Sequence, residues 1–222
     1  MPITGKTEHD PVADLTLVDI YMRWALQAAE EVVGKQGLSV VLRQNGLERF
    51  VDNYPSNEVK ASGIRFGDYA NLMAGLHAFY GRAGKSMALR IGRLSAKYTI
   101  EQEGAKFGLT AVVAAAKLLP LPMQMKMGLE ANQSLLRKMS QSVGEDLHMR
   151  LEDRGDRFAY IYEDCAMCAG KQAAEKICWV FNGALQESLK WQTGKDFEIA
   201  EVECRALSAP ACVWEISKTP KA

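Results

Sequence analysis

Six side chains in the last third of the chain have the types and spacing that metal chemistry requires. They are Cys165, Cys168, Cys178, Glu201, Cys204 and Cys212. Thiolates and a carboxylate together can form a four-ligand tetrahedral zinc site. The alternative interpretation is that the thiols are small buried apolar side chains, as unpaired cysteines often are. Because the five cysteines are odd in number and clustered, we expect a reducing compartment, with metal or redox chemistry rather than disulfides.

Motifs for other kinds of catalysis are absent or incomplete, so we predict no catalytic residue. The segment Gly81–Ser86 reads GRAGKS, but a phosphate-binding loop needs a glycine where this chain has Phe79. The three histidines, His9, His77 and His148, are scattered along the chain. No GxGxxG follows a predicted strand, which argues against a self-sufficient nicotinamide-dependent reductase.

Charge and hydropathy exclude several classes of partner. The 222 residues carry a formal net charge of zero, which gives no electrostatic attraction for nucleic acid or an anionic membrane. The most apolar stretch, residues 109–123, is interrupted by Lys117, Pro120 and Pro122. It falls short of the ~18 apolar residues of a membrane span, so we expect no stable membrane insertion. The N-terminus shows no basic segment followed by an apolar run, so we expect a cytoplasmic protein.

The first two thirds of the chain has the periodicity of helices. Residues 1–14 are polar and contain two prolines, which predicts a flexible tail. Beyond them, apolar residues recur at helical spacing, beginning with Leu17, Ile20 and Trp24. The predicted helices cover about residues 15–33, 39–44, 66–80, 85–102 and 123–141, with a separate apolar segment at 105–119.

The last third of the chain has a different pattern. Alternating apolar residues on both sides of Asp153–Asp156 predict a β-hairpin. A helix is predicted over residues 171–191, and two strands over Lys195–Cys204 and Ala211–Ser217. This order predicts a single α+β domain over residues 15–217, with a helical N-terminal part (15–144) packed on an antiparallel sheet (145–217) and a short tail at 218–222.

The cysteine segment resembles the 4-vinyl reductase domain family. Cys178 stands shortly before a helix-borne glycine, Gly183, and is followed by Glu-x-x-Cys at Glu201 and Cys204 and by a closing Cys212. The resemblance is firm over residues 145–217 and looser over 15–144. It implies the nitric-oxide signalling and Golgi transport ligand-binding fold, which haem-based nitric-oxide sensors share with subunits of vesicle-tethering complexes.

The resemblance also implies a ligand set and a loop conformation. In phenol-sensing transcriptional activators with this domain, Cys, Glu, Cys and Cys at this spacing hold zinc. Carried over by position, the ligands would be Cys178, Glu201, Cys204 and Cys212, with Cys165 and Cys168 as alternatives. The family usually has glycine where this chain has Ser208, so a loop that needs positive φ there would be strained.

Family members are thought to bind hydrocarbons, aromatics or tetrapyrroles, so we expect a carrier or sensor of a hydrophobic small molecule with a structural zinc site. Its pocket would lie between the helices and the sheet, with residues 109–119 as a lid. From the methionine-rich helix and the strand residues we predict as lining Met123, Met127, Phe158, Tyr160 and Ile199. One alternative is an enzyme or accessory factor in chlorophyll or other tetrapyrrole metabolism, and another is a non-enzymatic assembly subunit. A homodimer agrees with all three hypotheses.

Overall fold

The computed structural model describes residues 3–106 and 108–221, apart from the side chains of Arg82, Glu103, Leu109 and Val112. The helices in this part of the chain are α1 (Asp19–Gln44), α2 (Phe66–Tyr80), α3 (Gly84–Glu103), α4 (Leu109–Ala116), α5 (Leu121–Gln141) and α6 (Trp179–Thr193). The strands are β1 (Thr4–Gly5), β2 (Met149–Asp153), β3 (Arg157–Tyr162), β4 (Lys171–Gln172), β5 (Phe197–Glu203) and β6 (Cys212–Pro220). None of these helices is both long and apolar enough to cross a membrane.

The helical part forms where the apolar stripes predict it, with one difference at the first helix. The predicted helices at 15–33 and 39–44 are joined in α1, which is interrupted at Gly34 (φ 75°). Glycine adopts such a positive φ at little cost, so the helix can change direction there. The stripe residues Ile20 and Trp24 are buried, and the NG turn predicted to end the helix follows Gln44.

Helices α3 and α6 approach each other closely through two glycines. A Cβ atom built on Gly92 would overlap the carbonyl oxygen of Val180, and one built on Gly183 would overlap the carbonyl oxygen of Leu89. Only glycine permits this backbone contact. The glycine after Cys178 in the sequence pattern therefore has a packing role: it brings α6 against α3.

A four-stranded antiparallel sheet, in the order β2-β3-β6-β5, packs against the helices. The hairpin predicted around residues 153–156 is present, with Met149 opposite Tyr162 and Asp153 opposite Phe158. In β3, Phe158, Tyr160 and Tyr162 belong to the main core, whereas Ala159 and Ile161 pack in a small cluster with Ala211 and Val213. The alternating pattern of the sequence therefore marks the two faces of the sheet. The predicted α+β architecture is confirmed.

Two boundaries differ from the prediction at the C-terminal end. The predicted helix over 171–191 begins only at Trp179, because β4 pairs with β1 and leaves Cys178 at the helix N-cap. Cys178 therefore precedes the helix instead of lying on it. Strand β6 continues to Pro220, through part of the predicted tail, because Pro220 lies opposite Phe197 of β5.

The N-terminal segment also differs from the predicted flexible tail. Thr4 and Gly5 pair with β4, and Pro11–Asp14 form a short 3-10 helix capped by Asp10. Asp10 is buried and is ion-paired with Arg205 at 2.8 Å. Composition does not predict this, because partners more than 150 positions away hold the segment in place. Residues 1–2 and 222 of the two predicted tails lie outside the described residues.

Candidate functional site

Four separate elements bring the five cysteines into one buried cluster. Cys165 and Cys168 flank a 3-10 turn that packs on α2, and Cys178 caps α6. Cys204 follows β5, and Cys212 begins β6. Each of the five is 0% exposed, and none forms a disulfide. We call this group the cysteine cluster.

Cys178 lies at the centre of the cysteine cluster. Its Sγ is 3.8 Å from the Sγ atoms of Cys165 and Cys204, and 3.7 Å from that of Cys212. The Sγ atoms of Cys168 and Cys212 are 3.4 Å apart. Since a Zn–S bond of about 2.3 Å gives a tetrahedral S···S edge of about 3.8 Å, these separations are close to those of ligands sharing one ion.

The ligand set implied by the resemblance is one of two sets that could hold a metal ion. The ligand atoms of Cys178, Glu201, Cys204 and Cys212 all lie within 4.8 Å of one another. The same is true of Cys165, Cys168, Cys178 and Cys212. The structure therefore brings together both the expected ligands and the two alternative ones, at adjoining positions.

Glu201 is a buried carboxyl group with an unused oxygen. Its side chain belongs to β5 and is 4% exposed. Oε2 accepts a hydrogen bond from the backbone N–H of Cys178 at 3.2 Å, whereas Oε1 is buried with no hydrogen-bond partner among the described residues. Burial raises the pKa of Glu201 to about 7. A metal ion would satisfy Oε1, because buried charges are stable when they are paired or coordinate a metal.

The thiols influence one another's protonation. Hydrogen bonds from Cys165 and the other three thiols hold the pKa of Cys168 well below its usual range. Burial raises the pKa of Cys178 and Cys212 well above that range, and raises the pKa of Cys165 to about 11. The cluster therefore readily loses one proton from Cys168, whereas further ionisation is opposed until a cation compensates for the lost protons.

The loop from Cys204 to Cys212 is anchored on both sides. The backbone N–H of Arg205 lies 3.4 Å from the Sγ of Cys212, and its guanidinium group pairs with Asp10. Ser208 in this loop has φ 68°, in the left-handed region. The strain expected where the related proteins have glycine is therefore present.

A cavity lies between α1, α3, α5 and α6 and has a volume of about 80 Å³. With the solvent-open cleft beside it, the empty space reaches about 900 Å³. Its aromatic lining residues are Tyr21, Trp24, Tyr69, Phe181 and Trp191. Its polar lining residues are Ser95, Thr99, Asn132, Ser188 and Gln192. Val113 of α4 also contributes, as the prediction of a lid in this segment suggests.

The five residues predicted to bind the ligand lie close to this cavity, but none of them lines it. Phe158, Tyr160 and Ile199 are buried in the sheet, and Met123 at the start of α5 is 51% exposed. Met127, also on α5, is partly buried. The nearest connection is the hydroxyl of Tyr160, which donates to Asn132 Oδ1 at 2.8 Å. Direct contact between these five side chains and a ligand stays a prediction.

The sequence offered only a weak signal for the lining residues. Trp24 and Phe181 lie on apolar stripes, which report burial but do not distinguish a packed core from a cavity wall. The polar residues Ser95, Thr99 and Ser188 lie near the apolar stripes of their helices, and a polar position of this kind is the signal that could have located the cavity.

Residues 158–218 match the family model of the 4-vinyl reductase domain. The chain carries a 4-vinyl reductase domain. This confirms the resemblance found in the sequence, and the matched segment contains all five cysteines and Glu201. No protein of curated function matches the chain.

This 4-vinyl reductase domain protein has the fold of H-NOX proteins. An Fe(II) unliganded H-NOX protein from K. algicida superimposes with a TM-score of 0.58 at 13% identity, covering 92% of this chain and 98% of that chain. An H-NOX protein from S. oneidensis in its Fe(II)NO state gives a TM-score of 0.56 at 11% identity, covering 90% and 98%. A further H-NOX structure, concerned with heme distortion, gives 0.57 at 14% identity, covering 91% and 95%. At such low identity these similarities establish the fold.

Proposed function

We propose that this chain is a carrier or sensor that binds a hydrophobic small molecule in the cavity between α1, α3, α5 and α6. The observation that carries the proposal is the cavity itself: five aromatic side chains surround a space that a few polar groups also reach. Binding sites for small molecules have this composition, with apolar walls and a small number of polar groups that fix orientation. The match to the 4-vinyl reductase domain and the H-NOX-like fold support the same class of function.

The size of the cavity favours a small ligand over a tetrapyrrole. Its volume of about 80 Å³ is below that of the engineered cavity of about 150 Å³ that accepts benzene. A single aromatic ring would fit after modest outward movement at the open cleft, where α4 contributes Val113. Asn132 could hydrogen-bond one polar substituent. We therefore propose a monocyclic aromatic compound with at most one polar group.

The lining residues do not fit a haem held by imidazole or thiolate. Haem iron in proteins is held by His, Cys, Met or Tyr side chains. The described lining residues include no histidine or cysteine, and the hydroxyls of Tyr21 and Tyr69 are hydrogen-bonded to each other. The three histidines, His9, His77 and His148, pair with acidic residues away from the cavity. The thioether of Met139 is then the remaining group of an iron-binding type, so the proposed ligand is not a haem.

The proposed metal centre is a zinc ion at Cys178, Glu201, Cys204 and Cys212. These ligands belong to the start of α6, the end of β5 and the start of β6, so an ion there would fix helix and sheet together. Phe181, one turn after Cys178, lines the cavity, and this turn would connect the two sites. Buried free thiols suit a reducing compartment, so we propose the cytoplasm. The predicted homodimer stays a prediction.

Native mass spectrometry of protein purified without chelator tests the proposal, together with fluorescence titration by benzene, toluene and phenol. Trp24 and Trp191 line the cavity, so their emission should change on binding. The variant Ala131→Phe fills the cavity and should lower affinity at least tenfold. Ala115→Phe places the same ring on exposed α4, outside the lining, and should leave affinity unchanged. The absence of both an adduct and a fluorescence response would contradict the proposal.

A further inference from the structure

One tetrahedral ion leaves part of the cysteine cluster without a role. A zinc ion at the proposed ligands uses four donors, so the thiols of Cys165 and Cys168 remain. Both are 0% exposed, and they contact the Sγ atoms of Cys178 and Cys212, respectively. An ion at the other set would instead leave Cys204 and the unpaired carboxylate oxygen of Glu201 buried beside it. Neither single site uses all the donors that the fold brings together.

The two possible ligand sets share Cys178 and Cys212. A thiolate can bind two metal ions at once, so each shared cysteine can serve both sites. Four unshared donors and two shared donors counted twice give eight ligand positions, which is the number that two tetrahedral ions need. We infer that the cysteine cluster is a two-metal centre in which Cys178 and Cys212 bridge two divalent ions of the zinc type.

The arrangement of the donors agrees with two ions placed side by side. Cys165 lies at one end, with Cys168, Cys178 and Cys212 as its thiol neighbours. Glu201 lies at the other end, next to Cys178 and Cys204. The shared edge, from Cys178 Sγ to Cys212 Sγ, is 3.7 Å long, close to the tetrahedral edge of about 3.8 Å that Zn–S bonds of about 2.3 Å produce.

The second ion adds no net charge to the site. Three thiolates and one carboxylate around one divalent ion have a net charge of −2, provided that Cys165 and Cys168 keep their protons. When a second divalent ion binds, these two thiols release two protons, and the total remains −2. The backbone N–H of Arg205 lies 3.4 Å from Cys212 Sγ, and its guanidinium group, 11% exposed, is a nearby buried cation.

This inference rests on the metal site of the proposed function, and metal stoichiometry separates the two. The full chain is purified without chelator and reconstituted with Zn²⁺, and its zinc content is measured by elemental analysis beside native mass spectrometry. We expect two zinc ions per chain. The double variant Cys165→Ser/Cys168→Ser should retain one, and so should Glu201→Gln/Cys204→Ser, which removes donors from the opposite end. The bridging variant Cys178→Ser should lose more than one.

A second measurement needs only the unsubstituted chain, in case a variant does not fold. Titration of the metal-free protein with Cd²⁺, followed by thiolate-to-metal absorption, should rise through two equivalents. A single zinc ion that Cys165→Ser/Cys168→Ser retains, with absorption that saturates at one equivalent, would overturn the two-metal centre and leave the proposed zinc site intact. No bound zinc after reconstitution would overturn both, whereas ligand binding in the cavity would still be tested separately.

Discussion

The substitution Asp10→Asn should destabilise the fold, although Asp10 lies in a segment whose composition suggests a tail. Its carboxylate accepts hydrogen bonds from the backbone N–H groups of Val12 and Gly170, at 3.2 and 2.9 Å, and from Lys6 Nζ at 3.1 Å. It also pairs with Arg205 at 2.8 Å, and the two side chains are 3% and 11% exposed. The substitution removes the charge and leaves the guanidinium group buried without its partner.

The expected loss of stability follows from two estimates. Burial opposes ionisation of Asp10, but hydrogen bonds from Arg205 and Gly170 outweigh it and lower its pKa from 3.8 to about 2. At ~1.4 kcal/mol for each pKa unit, this difference corresponds to about 2 kcal/mol. Removing one partner of a buried ion pair typically costs about 3–5 kcal/mol. We therefore expect Asp10→Asn to lower the free energy of unfolding by roughly 2–4 kcal/mol at pH 7.

The pH dependence gives the same prediction an independent test. Because the pKa of Asp10 is lower in the folded protein, the unfolded chain binds more protons between pH 2 and 3.8. The stabilisation is therefore fully present above pH 3.8 and is lost as the pH falls toward 2. The difference between the unsubstituted protein and Asp10→Asn should be constant from pH 8 to about 5 and should shrink below pH 4.

Urea unfolding followed by circular dichroism measures this difference. Asp14→Asn is the matched control, since Asp14 lies in the same segment but is 67% exposed and pairs only with the exposed His9. It should change stability by less than about 0.5 kcal/mol. If Asp10→Asn costs no more than Asp14→Asn, the buried pair does not hold the N-terminal segment and the reasoning is refuted.

Three further predictions concern the C-terminal part. Ser208→Gly should stabilise the protein by roughly 0.5–1 kcal/mol in urea unfolding, because glycine relieves the positive φ, whereas Ser208→Ala should give no gain. Gly183→Ala should cost about 3 kcal/mol or more, because the new Cβ overlaps the carbonyl oxygen of Leu89; Gly5→Ala, with its nearest atom at 4.0 Å, should be mild, and equal costs would contradict the close helix contact. In the metal-free protein the raised pKa of Glu201 should make stability fall as the pH rises from 4.5 to about 7, by up to about 3 kcal/mol, and Glu201→Gln should remove this dependence. A stability difference between Glu201→Gln and the unsubstituted protein that does not change with pH would contradict the last prediction.

The sequence by itself determined the local elements and the type of chemistry. Apolar spacing located α2 at Phe66–Tyr80 and the hairpin around residues 153–156, because periodicity reports which side of an element is buried. The spacing of Glu201, Cys204 and Cys212 identified donors on neighbouring strands, because β5 and β6 form one antiparallel pair and keep these residues close.

The tertiary structure alone decided which distant residues meet. The CxxC of Cys165 and Cys168 joins the other thiols because a turn packed on α2 carries it to the starts of α6 and β6. Asp10 reaches Arg205, and the cavity opens between four helices, through contacts that the spacing of residues along the chain does not encode. Periodicity reflects burial within one element. The meeting of elements depends on how their faces pack together, and that packing decided the shape of both candidate sites.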